Sequence, residues 1–256
     1  MKGIDISHWQ KGLEMNVVKQ SGYDFVICKA GGHESGIYYK DECFKTFVTK
    51  AIANGLKVGA YFYSTAKSIE DAKNEADYFN NILADYTKCF EFPVFIDYED
   101  SECLKDADCV LYVNEFVKAI EKHGYSGGLY ASAFVHNSML AGYKYGNRWV
   151  AHWGIGENKV YADSGIHQYT NREYVGGYMV DGDVTNIDYP YLIIQNNRNG
   201  FSNCDTNADG KVNSKDIVHT MKHIAEDKPY DTAHDVNKDG KVNSKDITKI
   251  MKEVSK

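Results

Sequence analysis

The sequence predicts an α/β fold, in which an irregular TIM-like barrel of the form (β/α)5(β)3 is followed by a small all-α module. Strand-like and helix-like hydrophobic patterns alternate through the first half of the chain, as they do in barrels of parallel strands. The helical patterns fade after the fifth strand, so three later strands are expected without helices between them. A motif that occurs twice near the end, 30 residues apart, then marks a separate module.

The same periodicity places the individual elements. We expect strands at residues 3–8, 24–30, 56–63, 93–99, 127–131, 148–153, 165–169 and 178–188. We expect helices at residues 13–21, 40–54, 68–85 and 107–123, and a short helix after the strand at 127–131. These elements make up a barrel domain of residues 1–195. Residues 196–203, which are rich in Asn, are the predicted linker, and residues 204–256 are the second domain.

The repeated motif has the ligand pattern of a calcium loop. Oxygen-bearing side chains recur at loop positions 1, 3, 5, 9 and 12, with Gly at position 6 and a backbone carbonyl required at position 7. The predicted ligands are Asp205, Asn207, Asp209, Lys211, Asn213 and Asp216 in the first loop, and Asp235, Asn237, Asp239, Lys241, Asn243 and Asp246 in the second. Asp, Asn and Gly also favour ordinary turns, but the two copies agree at every ligand position. The sequence therefore predicts two bound Ca²⁺ ions, each in a loop followed by an amphipathic helix.

Residues 204–256 resemble a type I-like dockerin, in which two calcium loop–helix segments are joined by a linker helix. The family binds cohesin modules of a scaffolding protein, as in a cellulosome, and the residues that match its recognition positions are Ser214, Lys215, Ser244 and Lys245. The resemblance implies calcium-dependent tethering, and the near-identity of the two copies implies two orientations of binding. Helix capping is an alternative role for these Ser-Lys pairs.

Composition limits the partners and the compartment. The net charge is −7, and residues 204–256 contain as many basic as acidic residues, so the negative excess lies in the first 203 residues. This balance argues against a nucleic-acid partner. The six cysteines form no CxxC pair and are expected to be mostly free and buried, although Cys103 and Cys109 could pair. No apolar run has transmembrane length. Because a dockerin implies export, we expect a secreted, scaffold- or surface-associated protein whose signal peptide is absent from this chain.

Acidic residues occur at three predicted strand ends, where the active sites of barrels lie. They are Asp5 in the first strand, Asp97 and Glu99 in the strand at 93–99, and Asp181 in the last strand. Asp97 and Glu99 share one face of their strand, and crowding should raise the pKa of one of them. Glycoside hydrolysis needs such a pair, with one protonated acid and one charged group. A solvent-facing pair is the alternative, but the apolar run before Asp97 favours the functional interpretation.

The strands also carry motifs that resemble those of the glycoside hydrolase family 25 lysozymes. The matching segments, which fall in family order, are Gly3–Gln10, Val58–Tyr63, Phe95–Glu99, Trp149–Trp153, His167–Thr170 and Val180-Asp181. The resemblance implies an N-acetylmuramidase, which cleaves the β-1,4 bond between N-acetylmuramic acid and N-acetylglucosamine in peptidoglycan without a cofactor. It makes Glu99 the general acid, lets Asp97 orient the 2-acetamido group of the substrate, and places Asp5 and Asp181 in an acidic floor. The residues expected to line the groove are Tyr61, Tyr63, Tyr130, Trp153 and Gln168.

Several alternatives remain at this stage. Phe62 replaces a histidine that many relatives carry, and Asp183 stands where asparagine is usual, which puts substrate preference in doubt. A carboxylate acting directly, as nucleophile or as base for water, is the other possible mechanism. The barrel could instead bind glycan without cutting it, or hydrolyse another polysaccharide such as chitin. A serine hydrolase is disfavoured because the G-x-S-x-G motif is absent.

Overall fold

The computed structural model describes residues 1–154 and 164–256. The chain folds into two units, Met1–Pro190 and Tyr191–Lys256, whereas the sequence places the end of the barrel domain at residue 195. The strands described in the first unit are β1 (Lys2–Ile6), β2 (Phe25–Glu34), β3 (Ile37–Lys40), β4 (Lys57–Tyr63), β5 (Val94–Asp97), β6 (Gly127–Ser132), β7 (Asn147–Ala151), β8 (Ile166–Val175) and β9 (Tyr178–Val184).

Eight of these strands close into a barrel, which confirms the predicted fold class. Their order is β1-β9-β8-β7-β6-β5-β4-β2, and pairing of β1 with β2 closes the ring. The strand β3 was not predicted, and among the described strands it pairs only with β2, as the second strand of a hairpin. Its turn is formed by Ser35 and Gly36, both with positive φ, a conformation that suits a two-residue hairpin turn.

The direction of the last strand differs from the parallel barrel that the sequence suggested. β9 runs antiparallel to both β8 and β1. Gly176 and Gly177, with φ values of 58° and 89°, make the short turn between β8 and β9. A parallel partner would need a long crossover connection, so a turn this short makes β9 antiparallel.

The helices of the first unit are close to the predicted ones: α1 (Met15–Gln20), α2 (Phe44–Ala53), α3 (Ile69–Leu83), α4 (Cys109–Lys122) and α5 (Ala133–Asn137). The longest of them, α3, begins after Ser68, whose side chain accepts a hydrogen bond from the Asp71 backbone N–H and so caps the helix. A further helix, α6 (Tyr189–Gln195), was not predicted. Pro190 lies in its first turn, a position at which proline is tolerated.

Aromatic side chains fill the inside of the barrel. Phe25, Phe95 and Trp149 belong to one buried cluster. A Cβ atom on Gly3 would overlap the ring of Phe25, and one on Gly128 would overlap the ring of Phe95. These glycines therefore leave room for the rings. Since residues i and i+2 of a strand share a face, the side chains two residues further along these strands point towards the same interior.

The second unit contains the end of α6 and two longer helices, α7 (Ser214–Ala225) and α8 (Ser244–Val254), which directly follow the two copies of the repeated motif. Its buried apolar cluster is small and consists of Cys204, Val236 and Ile250, with two partly buried neighbours. The predicted linker helix is wrong, because residues 226–234 contain turns and no helix. Lys228 precedes Pro229, and the residue before a proline is disfavoured in the helical conformation.

Two further expectations can be compared with the structure. All six cysteines are free, so Cys103 and Cys109 do not pair, although Cys89 is only half-buried. Among the described helices, none has both the length and the apolar character needed to cross a bilayer.

Candidate active site and calcium loops

The predicted carboxylates meet at one end of the barrel. Asp5 in β1 lies directly opposite Asp181 in the adjacent strand β9. Asp97 is the last residue of β5 and is buried, and Glu99 follows two residues later and is exposed. Asp181 was expected at a strand end, but it lies in the middle of β9. It reaches the site because β9 runs antiparallel and passes Asp5.

Gln168 of β8 connects these carboxylates to the aromatic lining. Its Nε2 donates hydrogen bonds to Asp5 Oδ2 at 2.8 Å and to Asp181 Oδ2 at 3.3 Å. Its Oε1 accepts hydrogen bonds from Tyr130 Oη and from Trp153 Nε1, both at 3.1 Å. The structure therefore brings three of the predicted lining residues together with two of the predicted carboxylates.

The protonation of these carboxylates is shifted by their surroundings. Burial raises the pKa of Asp97, and the nearby Glu99 carboxylate raises it further. Burial also raises the pKa of Asp5, with a further contribution from the charge of Asp181. Although Glu99 as a residue is exposed, desolvation of its carboxyl still raises its pKa. Burial and the charge of Glu99 raise the pKa of Asp181 to about 6. The site thus holds several carboxyl groups that bind their protons more tightly than free carboxyl groups do.

Lys29 of β2 is a site residue that the sequence prediction missed. Its Nζ lies 5.0 Å from the ring centre of Tyr63 and 5.8 Å from that of Tyr61. Its positive charge opposes the rise in the pKa of both Asp97 and Glu99. The sequence contains a signal that could have identified Lys29. It follows Phe25 and Ile27 at a spacing of two residues, so it shares their face of the strand, and both belong to the buried cluster inside the barrel.

Asp183 is a second residue whose position adds to the prediction. It is fully buried, and its Oδ1 accepts a 2.7 Å hydrogen bond from Trp149 Nε1. No donor among the described residues reaches its Oδ2, and a hydrogen bond with Asp5 raises the pKa of Asp183 and lowers that of Asp5, as a bond donated by Asp183 would. Burial and the charge of Asp5 raise the pKa of Asp183. Two carboxyl groups can share a hydrogen bond only if one keeps its proton, so Asp183 donates and Asp5 accepts.

Replacing Asp183 by Asn should make the site less sensitive to high pH. Wild-type Asp183 has a raised pKa in the folded state, so the barrel loses stability as pH rises above the ordinary value of about 4 towards the folded pKa. An amide accepts from Trp149 and donates to Asp5 at every pH. We expect Asp183→Asn to melt above wild type at pH 8, by a few degrees, and to melt like wild type near pH 3.5.

Activity gives an independent measurement of the same bond. For the hydrolytic activity that the sequence predicts, the Asn variant should keep its rate on the alkaline side of the pH profile, where the wild-type rate should fall. Asp183→Ala is the matched control, since it removes both hydrogen bonds and should lower the rate at every pH. Superimposable melting and activity profiles for wild type and Asp183→Asn would show that Asp183 does not hold this proton.

The rim of the barrel mouth exposes aromatic surface. Trp153 is 51% exposed, and Trp9, in the segment that follows β1, is 78% exposed. Tyr61 and Tyr63 of β4 are half-buried. Exposed aromatic rings of this size offer flat apolar faces to a sugar ring. A cavity of about 410 Å³ lies beside the site, and its lining includes Asp100 but none of the four predicted carboxylates.

In the second unit, the two repeated loops fold in the same way. The carboxylate of Asp216 accepts hydrogen bonds from the backbone N–H groups of Asn207 and Asn213, at 3.3 and 2.8 Å. Asp246 accepts the equivalent bonds in the second loop, at 3.0 and 2.9 Å. Both aspartates are completely buried.

The loop backbone and its oxygen atoms suit a hard cation. Gly210 and Gly240 at position 6 have φ values of 82° and 80°, a conformation that favours glycine. Burial and the charge of Asp216 raise the pKa of Asp205, since acidic groups are gathered around the loop. Carboxylate and amide oxygens are the ligands that Ca²⁺ prefers. The residues present therefore fit the predicted ion.

The helices that follow these loops expose apolar side chains. Val218, Met221 and Met251 are 49%, 51% and 52% exposed, so the predicted apolar faces of α7 and α8 are only partly buried. A shallow groove of about 300 Å³ on α7 is lined by Ser214, Lys215, Val218, His219 and Lys222. It contains two of the predicted recognition residues next to exposed apolar surface.

A barrel with several proton-holding carboxyl groups and exposed aromatic rings at the carboxyl ends of its strands is typical of a glycoside hydrolase. Comparison with known families agrees with this class. Residues 4–178 match the model of the glycosyl hydrolases family 25, and residues 203–255 match the dockerin type I domain. The first match covers more than half of the chain, so the chain belongs to glycosyl hydrolases family 25. Both resemblances seen in the sequence are confirmed.

Two characterised relatives are lysozymes. The chain is 26% identical over 203 residues to the autolytic lysozyme of Clostridium acetobutylicum, a match that covers 75% of this chain and 57% of the relative. It is 27% identical over 201 residues to lysozyme M1 of Streptomyces globisporus, and this match covers 72% of this chain and 66% of the relative. The chain therefore spans less than two thirds of the length of either relative.

Solved structures share the fold. The lysozyme of Streptomyces coelicolor superposes with a TM-score of 0.59 at 25% identity, over 73% of this chain and 92% of that one. The catalytic domain of endolysin ply40, from bacteriophage P40 of Listeria monocytogenes, superposes with a TM-score of 0.64 at 23% identity, over 78% and 97%.

Proposed function

We propose that the barrel is an N-acetylmuramidase that hydrolyses the β-1,4 bond between N-acetylmuramic acid and N-acetylglucosamine in peptidoglycan. The observation that carries this proposal is the pair of carboxyl groups Asp97 and Glu99, one buried and one exposed at the barrel mouth, both with a raised pKa. A raised pKa lets an acid keep the proton that a leaving group needs. The lysozyme relatives support peptidoglycan as the substrate.

Glu99 is the proposed general acid. Its exposed carboxyl can reach a glycan in the mouth and protonate the glycosidic oxygen as the bond to the anomeric carbon breaks. Lys29 limits the rise in its pKa, so the carboxyl group holds its proton more tightly than a free glutamic acid does and can still release it. After bond cleavage, the carboxylate can take a proton from water and return to its starting state.

Asp97 is proposed to hold the 2-acetamido group of the substrate. Its Oδ1 is buried and has no hydrogen-bond partner among the described residues. A buried oxygen without a donor is costly, and a turn of the carboxyl group would let a substrate N–H satisfy it. This hydrogen bond would turn the acetamido carbonyl oxygen towards the anomeric carbon, as substrate-assisted hydrolysis requires. Asp5 and Asp181 complete the acidic floor beneath it, and a direct carboxylate mechanism is the alternative.

The proposal is tested by incubating the protein with purified peptidoglycan and, separately, with chitin. We expect new reducing ends from peptidoglycan and far fewer from chitin, measured by reducing-sugar release and by mass spectrometry of the soluble products. Binding to peptidoglycan without new reducing ends would instead indicate a glycan-binding barrel. Faster cleavage of chitin would indicate a hydrolase of another polysaccharide.

We also propose that the second unit holds two Ca²⁺ ions and binds a cohesin module of a scaffolding protein. Type I dockerin domains bind calcium, and the two loops of this chain offer the same ligand set twice. The proposed ligands of the first loop are Asp205, Asn207, Asp209, Lys211, Asn213 and Asp216, and those of the second are their counterparts 30 residues later. The side chains of Lys215 and Lys245 are each 75% exposed, so both recognition pairs are accessible. Such tethering supports an extracellular or cell-surface location.

A further inference from the structure

Three histidines lie side by side in the second unit, and none of them is a predicted calcium ligand. His219 and His223 are one turn apart on α7, and His234 follows in the segment between the two repeats. The ring centres of His223 and His234 are 4.2 Å apart, and those of His219 and His234 are 4.7 Å apart. Together with Asp231, His223 and His234 offer ligand atoms that all lie within 4.8 Å of one another.

The polar atoms of this cluster are only partly satisfied. His223 is only 7% exposed, and its Nε2 has no hydrogen-bond partner among the described residues. The Nδ1 of His234 lies 3.2 Å from the hydroxyl of Thr220, which leaves Nε2 available. Asp231 Oδ1 accepts a hydrogen bond from the backbone N–H of Ala233, which leaves Oδ2 available. One cation among these three side chains would satisfy them together.

We propose that His223, His234 and Asp231 form a site for a transition-metal cation of the zinc type, distinct from the two calcium loops. Two imidazole nitrogens and one carboxylate oxygen suit Zn²⁺ or Ni²⁺. They do not suit Ca²⁺, which needs six to eight oxygen ligands. A water molecule would complete a tetrahedral set around the ion.

The site would also have a structural effect. Asp231 and His234 lie just before Asp235, which opens the second calcium loop, whereas His223 belongs to the helix of the first repeat. A bound metal would therefore tie the connection between the repeats to α7. The hydroxyl of Thr220 would orient the His234 ring by hydrogen bonding to Nδ1, as hydrogen-bonding partners of metal-bound histidines commonly do.

The test uses the full chain without a histidine tag, with both calcium loops saturated by Ca²⁺. Zn²⁺ is titrated calorimetrically, and Co²⁺ serves as the spectroscopic probe of nitrogen ligation. We expect one Zn²⁺ per chain, and a loss of affinity of about tenfold or more in His223→Gln and in His234→Gln. His123→Gln is the control, because His123 lies in the first unit and pairs with Asp77, and it should bind like wild type.

Asp231→Asn keeps the test decisive if the variants of the buried histidines misfold. Asp231 is exposed, and an Asn side chain can still accept the hydrogen bond from Ala233. We expect this variant to keep its calcium-dependent thermal transition and to lose Zn²⁺ affinity. The proposal is overturned if Zn²⁺ does not bind at saturating calcium, or if Asp231→Asn, His223→Gln and His234→Gln all bind it as tightly as wild type.

Discussion

Replacing Glu99 by Gln is expected to lower the rate of peptidoglycan hydrolysis by roughly 10²–10⁴-fold, the usual contribution of a general acid. Gln has nearly the same shape but carries no transferable proton, so the glycosidic oxygen leaves unprotonated. Glu99 is exposed, and no described salt bridge involves it, so the variant should fold and melt like wild type. Binding of peptidoglycan should also persist, since the groove is unchanged.

Glu102→Gln is the matched control for this experiment. Glu102 is exposed and lies in the same loop after β5, where it pairs with Lys105. A surface pair of this kind contributes little to stability, and we expect the control to retain wild-type hydrolysis. Full activity of Glu99→Gln would refute its assignment, and an equal loss in Glu102→Gln would show that any charge change in the loop disturbs the site.

Removal of calcium is expected to unfold the second unit and leave the barrel folded. The buried apolar cluster of this unit is small, and each loop buries an aspartate, Asp216 or Asp246. A small unit of this kind depends on its ions, because the free energy of ion binding is also free energy of folding. Calorimetry with and without a chelator should show one calcium-dependent transition and one that calcium leaves unchanged.

The same chelation should abolish binding to a cohesin-bearing scaffold and have little effect on hydrolysis of isolated peptidoglycan. The matched variant replaces Ser214, Lys215, Ser244 and Lys245 by Ala, and it should lose scaffold binding while it keeps the calcium-dependent transition. Replacing one pair alone should be tolerated if either repeat can engage the partner. A chelator that stopped hydrolysis and spared scaffold binding would contradict this separation of roles.

Most of the fold could be predicted because it follows from local patterns. The interior column of Phe25 and Ile27 and the capped start of α3 at Ser68 are visible in the sequence as periodicity and capping signals. The antiparallel direction of β9 could not be predicted in this way, since a strand pattern is the same in both directions. Only the Gly176-Gly177 turn contained that information.

Asp5, Asp97 and Glu99 could be chosen from their place at or near strand ends, whereas Asp181 lies in the middle of β9 and reaches the site because that strand is antiparallel. Contacts between residues on different strands were harder to predict from the sequence. Lys29 looks like an ordinary strand lysine. Only its spacing from Phe25 and Ile27 places it on the face of the strand that points into the barrel. The hydrogen bond between Asp183 and Asp5 depends on how β9 lies beside β1. The histidine cluster depends in the same way on the path of the chain between the repeats.

The most direct test of the central claim is the identity of the new reducing end. Purified peptidoglycan is digested with the protein, the products are reduced with borohydride, and the reduced sugar is identified by mass spectrometry. We expect reduced N-acetylmuramic acid, formed in wild type and in the chelated protein but not in Glu99→Gln. Reduced N-acetylglucosamine as the main product, or no new reducing end with wild-type protein, would contradict the assignment of this barrel as a muramidase.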